Sequence, residues 1–253
     1  MKSTLFRLFL AAILLSPGSI RPQDASDKDG SKIKVNVGAD IMSRYVWRGT
    51  DYGNAPSIQS TLSVSSGNLE LGCWSSVATH GFYKEIDLYA EYAYNKFSVL
   101  FTDYYIPSTA GGSSSPDNRY FVYGNKKTAH TLEGSLTYKG DEKCPFWVLG
   151  GIFFYGNDKR WGYDAGKDTT NNTYYSSYVE AGYTFTMHEN SIDLFIGFTP
   201  KAGAYGDDTG IINMGITGTR PIKISQDFTL PVKGSLIFNP QASAAYFVFG
   251  ISL

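Results

Sequence analysis

Between residues 33 and 48, apolar and polar side chains alternate with a period of two. The apolar set comprises Ile33, Val35, Val37, Ala39, Ile41, Tyr45 and Trp47. The polar set comprises Lys34, Asn36, Asp40, Arg44 and Arg48. An extended backbone places successive side chains on opposite faces, whereas a helix repeats every ~3.6 residues. The pattern therefore predicts a first β-strand with one apolar and one polar face.

The same alternation recurs to the end of the chain. It is found in residues 58–64, 69–73, 86–92, 97–105, 128–138, 145–155, 173–185, 191–199, 210–219, 226–238 and 242–253. These segments predict about twelve strands, each near the roughly 9–11 residues that a tilted membrane-spanning strand needs. The expected fold is all-β: a single antiparallel up-and-down transmembrane β-barrel.

The links between the predicted strands alternate in length. The odd-numbered links are mostly long and cover residues 49–56, 78–84, 106–127, 156–172, 200–209 and the brief 239–241. The even-numbered links are mostly tight and cover residues 65–67, 95–96, 139–144, 186–190 and 220–225. Outer-membrane barrels combine long extracellular loops with short periplasmic turns, and their even strand number returns both chain ends to the periplasm. The asymmetry favours such a barrel over a soluble sandwich.

Aromatic and apolar residues also fit a membrane strand at the carboxyl end. The last apolar face consists of Phe247, Phe249, Ile251 and Leu253, with leucine where outer-membrane proteins usually end on an aromatic residue. Further aromatic residues near strand ends are expected to form interfacial girdles. They include Tyr45, Trp47, Tyr104, Tyr105, Trp147, Tyr155, Tyr183 and Phe198.

The first residues predict a secretory signal peptide. Lys2 and Arg7 precede or flank an apolar run, residues 8–15, that is too short to span a bilayer as a helix. We expect residues 1–22 to be removed, residues 23–32 to form a short periplasmic lead-in, and residues 33–253 to form the barrel. The expected location is the cell outer membrane of a diderm bacterium.

Composition excludes several other classes of protein. Lys+Arg 22 against Asp+Glu 23 gives a net charge of −1, which lacks the basic excess of a nucleic-acid binder. A hydrophobic content of 42% with 15% aromatic residues does not fit a disordered chain. Two cysteines, Cys73 and Cys144, cannot build a disulfide scaffold in 253 residues. Their distant placement also makes a single disulfide an unfavoured expectation.

Residues at the first predicted hairpin resemble a known family. The pattern is Ser43-Arg44-Tyr45-Val46-Trp47-Arg48-Gly49, then Pro56, Gln59, Gly67 and Gly72, then Trp74-Ser75-Ser76. Over roughly residues 38–77 this resembles the amino-terminal pattern of the TorF family of porins, small exported barrels without a defined solute. The resemblance implies an outer-membrane barrel with a channel role, and it implies no catalytic residues.

Charged side chains on the polar faces are the candidate functional residues. If the apolar faces meet lipid, the polar faces point into the lumen, where water or partners can solvate charge. The candidate lumen and selectivity residues are Lys34, Asp40, Arg44, Arg48, Glu70, Glu85, Asp87, Glu91, Glu133, Glu180 and Asp193. A wet lumen would let these groups set ion selectivity, whereas a narrow one would pair them into a salt-bridged plug. The sequence leaves both alternatives open.

Enzymatic and metal chemistry find little support in the sequence. The three histidines, His80, His130 and His188, have no acid and hydroxyl nearby in sequence that could orient and use them. Acidic loop residues such as Asp158, Asp164, Asp168, Asp207 and Asp208 lack the spacing of a calcium loop. We expect no enzyme activity, no metal site and no cofactor.

Three functions follow, from different classes. The leading hypothesis is a porin-like channel for passive diffusion of small hydrophilic solutes. The alternatives are a closed structural or adhesive barrel acting through loops 106–127 and 156–172, and a soluble periplasmic β-barrel that binds a small ligand inside. Expected partners are outer-membrane lipid and lipopolysaccharide, the barrel-assembly machinery during insertion, and the solutes themselves. Nucleic acid is not expected, and the oligomeric state stays open.

Overall fold

A computed structural model describes residues 33–107, 116–124, 127–160 and 172–253. The predicted signal peptide and lead-in, and Asp164 and Asp168, lie outside these residues. The described strands are β1 (Lys34–Met42), β2 (Tyr45–Trp47), β3 (Thr50–Tyr52), β4 (Ser57–Ser66), β5 (Leu69–Ala78), β6 (Lys84–Tyr94), β7 (Phe97–Tyr105), β8 (His130–Asp141), β9 (Cys144–Gly156), β10 (Ser177–Met187), β11 (Asn190–Thr199), β12 (Gly210–Lys223), β13 (Thr229–Asn239) and β14 (Ala244–Ser252). Within the described ranges, no helix is long and apolar enough to cross a membrane.

Twelve of the described strands close into one antiparallel barrel, and β2 and β3 form a separate two-stranded sheet. Each barrel strand pairs with its neighbour in sequence, and β1 closes the ring by pairing with both β4 and β14. Ile41 marks the closure, since it lies opposite Ile58 on one side and Ile251 on the other. The predicted all-β, up-and-down transmembrane barrel of about twelve strands is confirmed.

The side chains of each barrel strand alternate between an apolar outer face and a buried inner face. In β6, for example, Ile86 and Leu88 are exposed on the outside, whereas Glu85 and Asp87 are buried inside. The carboxyl-terminal strand follows the same rule, with Phe247 and Phe249 exposed. Because a soluble protein would not expose aliphatic and aromatic side chains around its whole circumference, this outer wall fits contact with lipid.

The two ends of the barrel differ as the sequence predicts. One end, which we call the short-turn end, carries the connections 67–68, 95–96, 142–143, 188–189 and 224–228. The other, the long-loop end, carries 43–56, 79–83, 106–129, 157–176, 200–209 and 240–243. Both described chain ends lie at the short-turn end, since β1 begins there and β14 ends there.

The first strand is shorter than predicted. It ends at Met42, and residues 45–52 form the hairpin β2–β3, which we call the luminal hairpin because its β2 side chains are buried inside the barrel. Its turn is built by Arg48 and Gly49, both with positive φ, 48° and 78°. Two successive left-handed residues are the geometry of a two-residue type I′ turn, which matches strand twist in tight hairpins.

This hairpin corrects the predicted lipid-facing girdle. Tyr45 and Trp47 lie inside the barrel rather than on its outer wall, because the chain turns inward after Met42. Tyr104 and Trp147 are also buried inside, on the inner faces of β7 and β9. Tyr155 and Phe198 do lie on the outer face. Period-two alternation continues smoothly from β1 into β2, so the pattern did not reveal the break.

Inside the barrel, large rings cover glycines on neighbouring strands. A Cβ at Gly72 would overlap the ring of Tyr89, and one at Gly182 would overlap the ring of Trp147. Gly197 has the same relation to the ring of Tyr178. These glycines let the rings lie against the wall, which is the way aromatic residues protect strand glycines.

Candidate functional site

The luminal hairpin is seated by aromatic contacts to the barrel wall. The ring of Tyr45 lies 5.1 Å from that of Trp74 on β5. The ring of Trp47 lies 5.4 Å from that of Tyr104 on β7. Tilted ring pairs at this spacing are worth about 0.5–1.5 kcal/mol beyond their area burial. On the opposite side, Val46 packs in a second apolar cluster with residues of β13 and β14.

Arg48, at the tip of the hairpin, forms a buried ion pair with Glu133 on β8. Nη1 donates to Oε1 at 2.6 Å and Nη2 donates to Oε2 at 3.2 Å. The two side chains are 5% and 2% exposed. Gly151 makes room for the pair, because a Cβ there would overlap the Glu133 carboxylate and lie 3.3 Å from Arg48 Nη2. The two parallel bonds are the bidentate geometry in which arginine pairs most strongly with a carboxylate.

Aromatic rings surround the Arg48 guanidinium. Its central carbon lies 4.4 Å from the ring of Trp47, 4.6 Å from that of Tyr178 and 5.1 Å from that of Tyr205. Arg48 also donates to the hydroxyl oxygen of Tyr205. All three distances are within the ~6 Å over which a ring face attracts a cation.

Glu133 and a second carboxylate are held in place by hydroxyl and amide donors. Tyr104 Oη donates to Glu133 Oε2 at 2.6 Å. Beside them, Glu180 on β10 accepts from Asn213 Nδ2 at 2.6 Å and from the Tyr178 hydroxyl. The barrel wall and the loop after β11 therefore place two carboxylates and three tyrosines around one cation. We call this set the guanidinium cage: Glu133, Glu180, Tyr104, Tyr178 and Tyr205.

The backbone at the hairpin tip fits closely against β12 and β13. Asn239 Nδ2 donates to the carbonyl oxygen of Gly49 at 3.1 Å. A Cβ at Gly49 would overlap the carbonyl of Ile212. Glycine is therefore required at position 49 for two reasons: its φ is positive, and another backbone approaches it closely.

Acidic side chains dominate the inner wall. Among the described barrel strands and the luminal hairpin, the buried acids are Glu70, Glu85, Asp87, Glu133, Glu180 and Asp193, and the buried lysine and arginine side chains are Arg48 and Lys233. Several of the acids accept from neighbouring hydroxyls. Tyr89 Oη donates to Glu70 at 2.9 Å, Tyr83 Oη donates to Glu85 at 2.7 Å, and Thr184 Oγ1 donates to Asp193 at 2.6 Å.

The remaining sequence candidates lie at the ends of the barrel. Lys34 is exposed at the start of β1, and Asp40 and Glu91 are half-buried on inner faces. Arg44 lies at the base of the luminal hairpin, where its side chain is 39% exposed and donates to Asp51 and to Asn54 Oδ1. The expected inward row of bases in the first strand therefore reduces to Arg48, because the chain leaves the wall before Arg44.

Sequence patterns did not indicate the tyrosines of the cage. Tyr205 belongs to the loop after β11, where no strand period applies. Tyr104 and Tyr178 lie on inner faces, and alternation alone could have marked them as inward-facing. Arg48 and Glu133 were both predicted to face inward, but their pairing across 85 residues depends on how the barrel closes.

His130 differs from the expectation that no histidine has an acid nearby. Its Nδ1 lies 2.8 Å from Asp103 Oδ1, and its Nε2 lies 2.5 Å from the backbone carbonyl of Tyr120. The acid comes from β7, the strand that pairs with β8. Both ring nitrogens are thus held against oxygen atoms of the protein.

No metal-binding arrangement is formed by the described residues. They contain no group of three or more His, Cys, Asp and Glu side chains that could hold a metal ion. Asp158 instead accepts from the backbone N–H and the hydroxyl of Ser176 at 2.9 and 2.6 Å. Burial raises the pKa of Asp158, and the bonds from Ser176 oppose that shift. Cys73 and Cys144 are both free thiols.

The fold and the site together define the class: a transmembrane β-barrel of up-and-down topology whose interior holds part of its own first loop. No family model and no curated protein matches the chain. Among solved structures, the chain is similar to the crystal structure of BamA from Haemophilus ducreyi lacking POTRA domains 1–3. The TM-score is 0.41 at 12% identity, and the match covers 82% of this chain and 41% of that chain.

Proposed function

We propose that the protein is an outer-membrane channel for small hydrophilic solutes that the luminal hairpin holds closed in this conformation. The observation that carries the proposal is the combination of a polar, acidic inner wall with a separate hairpin, buried at its tip against that wall. A barrel that served as a solid structural pillar could fill its interior with wall side chains alone. Here residues 45–52 occupy the lumen as an insert that is attached to the wall through the ends of β1 and β4.

The charge of the inner wall indicates the ion preference of the open channel. When the hairpin is displaced, Arg48 leaves the lumen, and Lys233 is the lysine or arginine that stays buried among the acids of the described strands. Rings of carboxylates favour cations in aqueous pores. The proposed channel is therefore cation-selective, and the apolar outer wall and the predicted signal peptide support a location in the outer membrane. The TorF resemblance in residues 38–77 supports the same proposal.

A second candidate function is a closed barrel that acts through its outer loops. The nearly complete burial of Arg48 and Glu133 favours it, because side chains that water does not reach do not line an open, water-filled pore. The third alternative, a soluble barrel with an apolar ligand cavity, requires the opposite polarity. The described inner wall carries buried acids, whereas the outer wall exposes residues such as Phe101 and Leu136.

Planar-bilayer recordings test the channel. The comparison is between the wild type and a variant in which residues 45–52 are replaced by a short Gly-Ser linker, both shown to be folded by heat-modifiable gel mobility. We expect rare openings for the wild type, and steady cation-selective current for the variant under a salt gradient. A folded variant that stays silent would favour the closed structural barrel.

A further inference from the structure

The surroundings of Arg48 have the composition of a binding site for a free cation. Glu133 offers two carboxylate oxygens to the guanidinium nitrogens, and the rings of Tyr178 and Tyr205 lie 4.6 and 5.1 Å from the central guanidinium carbon. Tyr178 comes from β10 and Tyr205 from the loop after β11, so these walls belong to the barrel and not to the hairpin. Within this set of described residues, Arg48 supplies the positive charge.

The guanidinium cage contains a second carboxylate, Glu180, in addition to the one that pairs with Arg48. Glu180 is buried and is held by Asn213 and Tyr178, without an ion pair to Arg48 among the described residues. Two carboxylates and aromatic faces around one position form the arrangement that proteins use to recognise ammonium and guanidinium groups.

We propose that the guanidinium cage is a binding site for small solutes that carry a guanidinium group, and that Arg48 occupies it as a tethered ligand. A guanidinium solute competes with Arg48 for Glu133, and its binding releases the tip of the luminal hairpin. The planar fork favours guanidinium over ammonium, because both nitrogens of the fork reach one carboxylate. The inference rests on the proposed channel for its route of access, while binding itself requires no conductance.

The first test is chemical rescue of Arg48→Ala. A Val46→Cys reporter, in a background with Cys73→Ser and Cys144→Ser, measures hairpin position through its alkylation rate by a water-soluble maleimide. The side chain of Val46 is 3% exposed, so a seated hairpin protects this position. We expect n-propylguanidinium to restore protection in the Arg48→Ala protein with saturating dose dependence, and n-propylurea, its neutral counterpart of similar shape, to have no effect.

The carboxylate is tested in the same background. Adding Glu133→Gln should weaken the rescue by about 10- to 100-fold, because it removes a charge-assisted bidentate bond. Rescue by propylurea as well as propylguanidinium would show simple cavity filling and would overturn the proposal. So would rescue that is unchanged by Glu133→Gln.

The reporter protein that keeps Arg48 provides a second, independent measurement. With Arg48 present, propylguanidinium should increase alkylation of the Val46→Cys thiol, since it displaces the tethered ligand. Half-saturation should require more propylguanidinium than rescue does, because the tethered Arg48 competes for the same site at a high effective concentration. If neither rescue nor displacement is seen, the proposed binding site is refuted, even if the barrel conducts ions. If both are seen in a barrel that does not conduct, the binding site stands and the proposed channel function is refuted.

Discussion

The buried ion pair should hold the luminal hairpin in place, and Glu133→Gln is the sharpest perturbation of it. Glutamine keeps the shape of the side chain and one acceptor oxygen, but it replaces the other oxygen with an NH2 donor and removes the counter-charge of a guanidinium that is 5% exposed. Removing one partner of a buried pair costs about 3–5 kcal/mol, because the other charge stays buried and uncompensated. Glu180 and Tyr205 remain beside Arg48, so we take the lower end, about 3 kcal/mol.

The hairpin can avoid this cost by leaving the lumen, since its tip then reaches water without unfolding the barrel. A change of about 3 kcal/mol raises the population of displaced hairpin about a hundredfold. The same Val46→Cys reporter should therefore react about a hundredfold faster in the Glu133→Gln protein. The double variant Glu133→Gln with Arg48→Met should return to within about tenfold of the rate with the pair intact, because replacing both members of a buried pair by neutral groups is often near neutral.

Asn54→Cys is the control for reagent access. Asn54 is exposed in the same loop, so its alkylation rate should not depend on Glu133. If adding Glu133→Gln leaves the alkylation rate of the Val46→Cys reporter unchanged, the pair does not hold the hairpin. A Glu133→Gln barrel that loses heat modifiability would show instead that the pair supports the barrel wall, which also contradicts a separable hairpin.

Three further outcomes follow from the geometry. Gly49→Ala should speed alkylation of the Val46→Cys reporter more than Gly81→Ala does. Both glycines have positive φ, but only a Cβ at position 49 would meet another backbone, that of Ile212. Equal alkylation rates in the two variants would contradict the close fit of the hairpin tip. Asn239→Ala should raise the alkylation rate of the Val46→Cys reporter by about five- to tenfold, because it removes one buried hydrogen bond worth about 1 kcal/mol. An unchanged rate would show that Asn239 does not help to hold the hairpin tip. Leu136→Lys, on the outer face of β8, should lower the free energy of unfolding by about 2–4 kcal/mol, measured with urea on protein in lipid vesicles. Leu136→Ala is the control for the lost apolar contact. An equal loss of stability in the two variants would mean that this face does not meet lipid.

The barrel could be predicted because period-two alternation separates an apolar face from a polar face in every strand. Ile86 and Glu85 are adjacent in sequence and lie on opposite sides of the wall, as the pattern requires. The lengths of the connections distinguished the two ends of the barrel. These features depend on local chemistry, and each strand carries its own signal.

The luminal hairpin could not be predicted by the same rule. Tyr45 and Trp47 continue the alternation of β1, and no glycine or proline separates Met42 from Tyr45. The turn at Arg48-Gly49 is visible in the sequence, but whether a hairpin folds outward or inward depends on what it meets. Its partner Glu133 is 85 residues away, and their contact exists only once the barrel has closed.

Single-channel open probability of the wild type, Glu133→Gln and the Glu133→Gln/Arg48→Met double variant tests the central claim that the Arg48–Glu133 pair keeps the channel closed. The account predicts long closed periods in the wild type, a large increase in open time for Glu133→Gln under the same voltage and salt, and a return towards closure in the double variant. Equal open probabilities in all three folded proteins, or silence in all three, would contradict it.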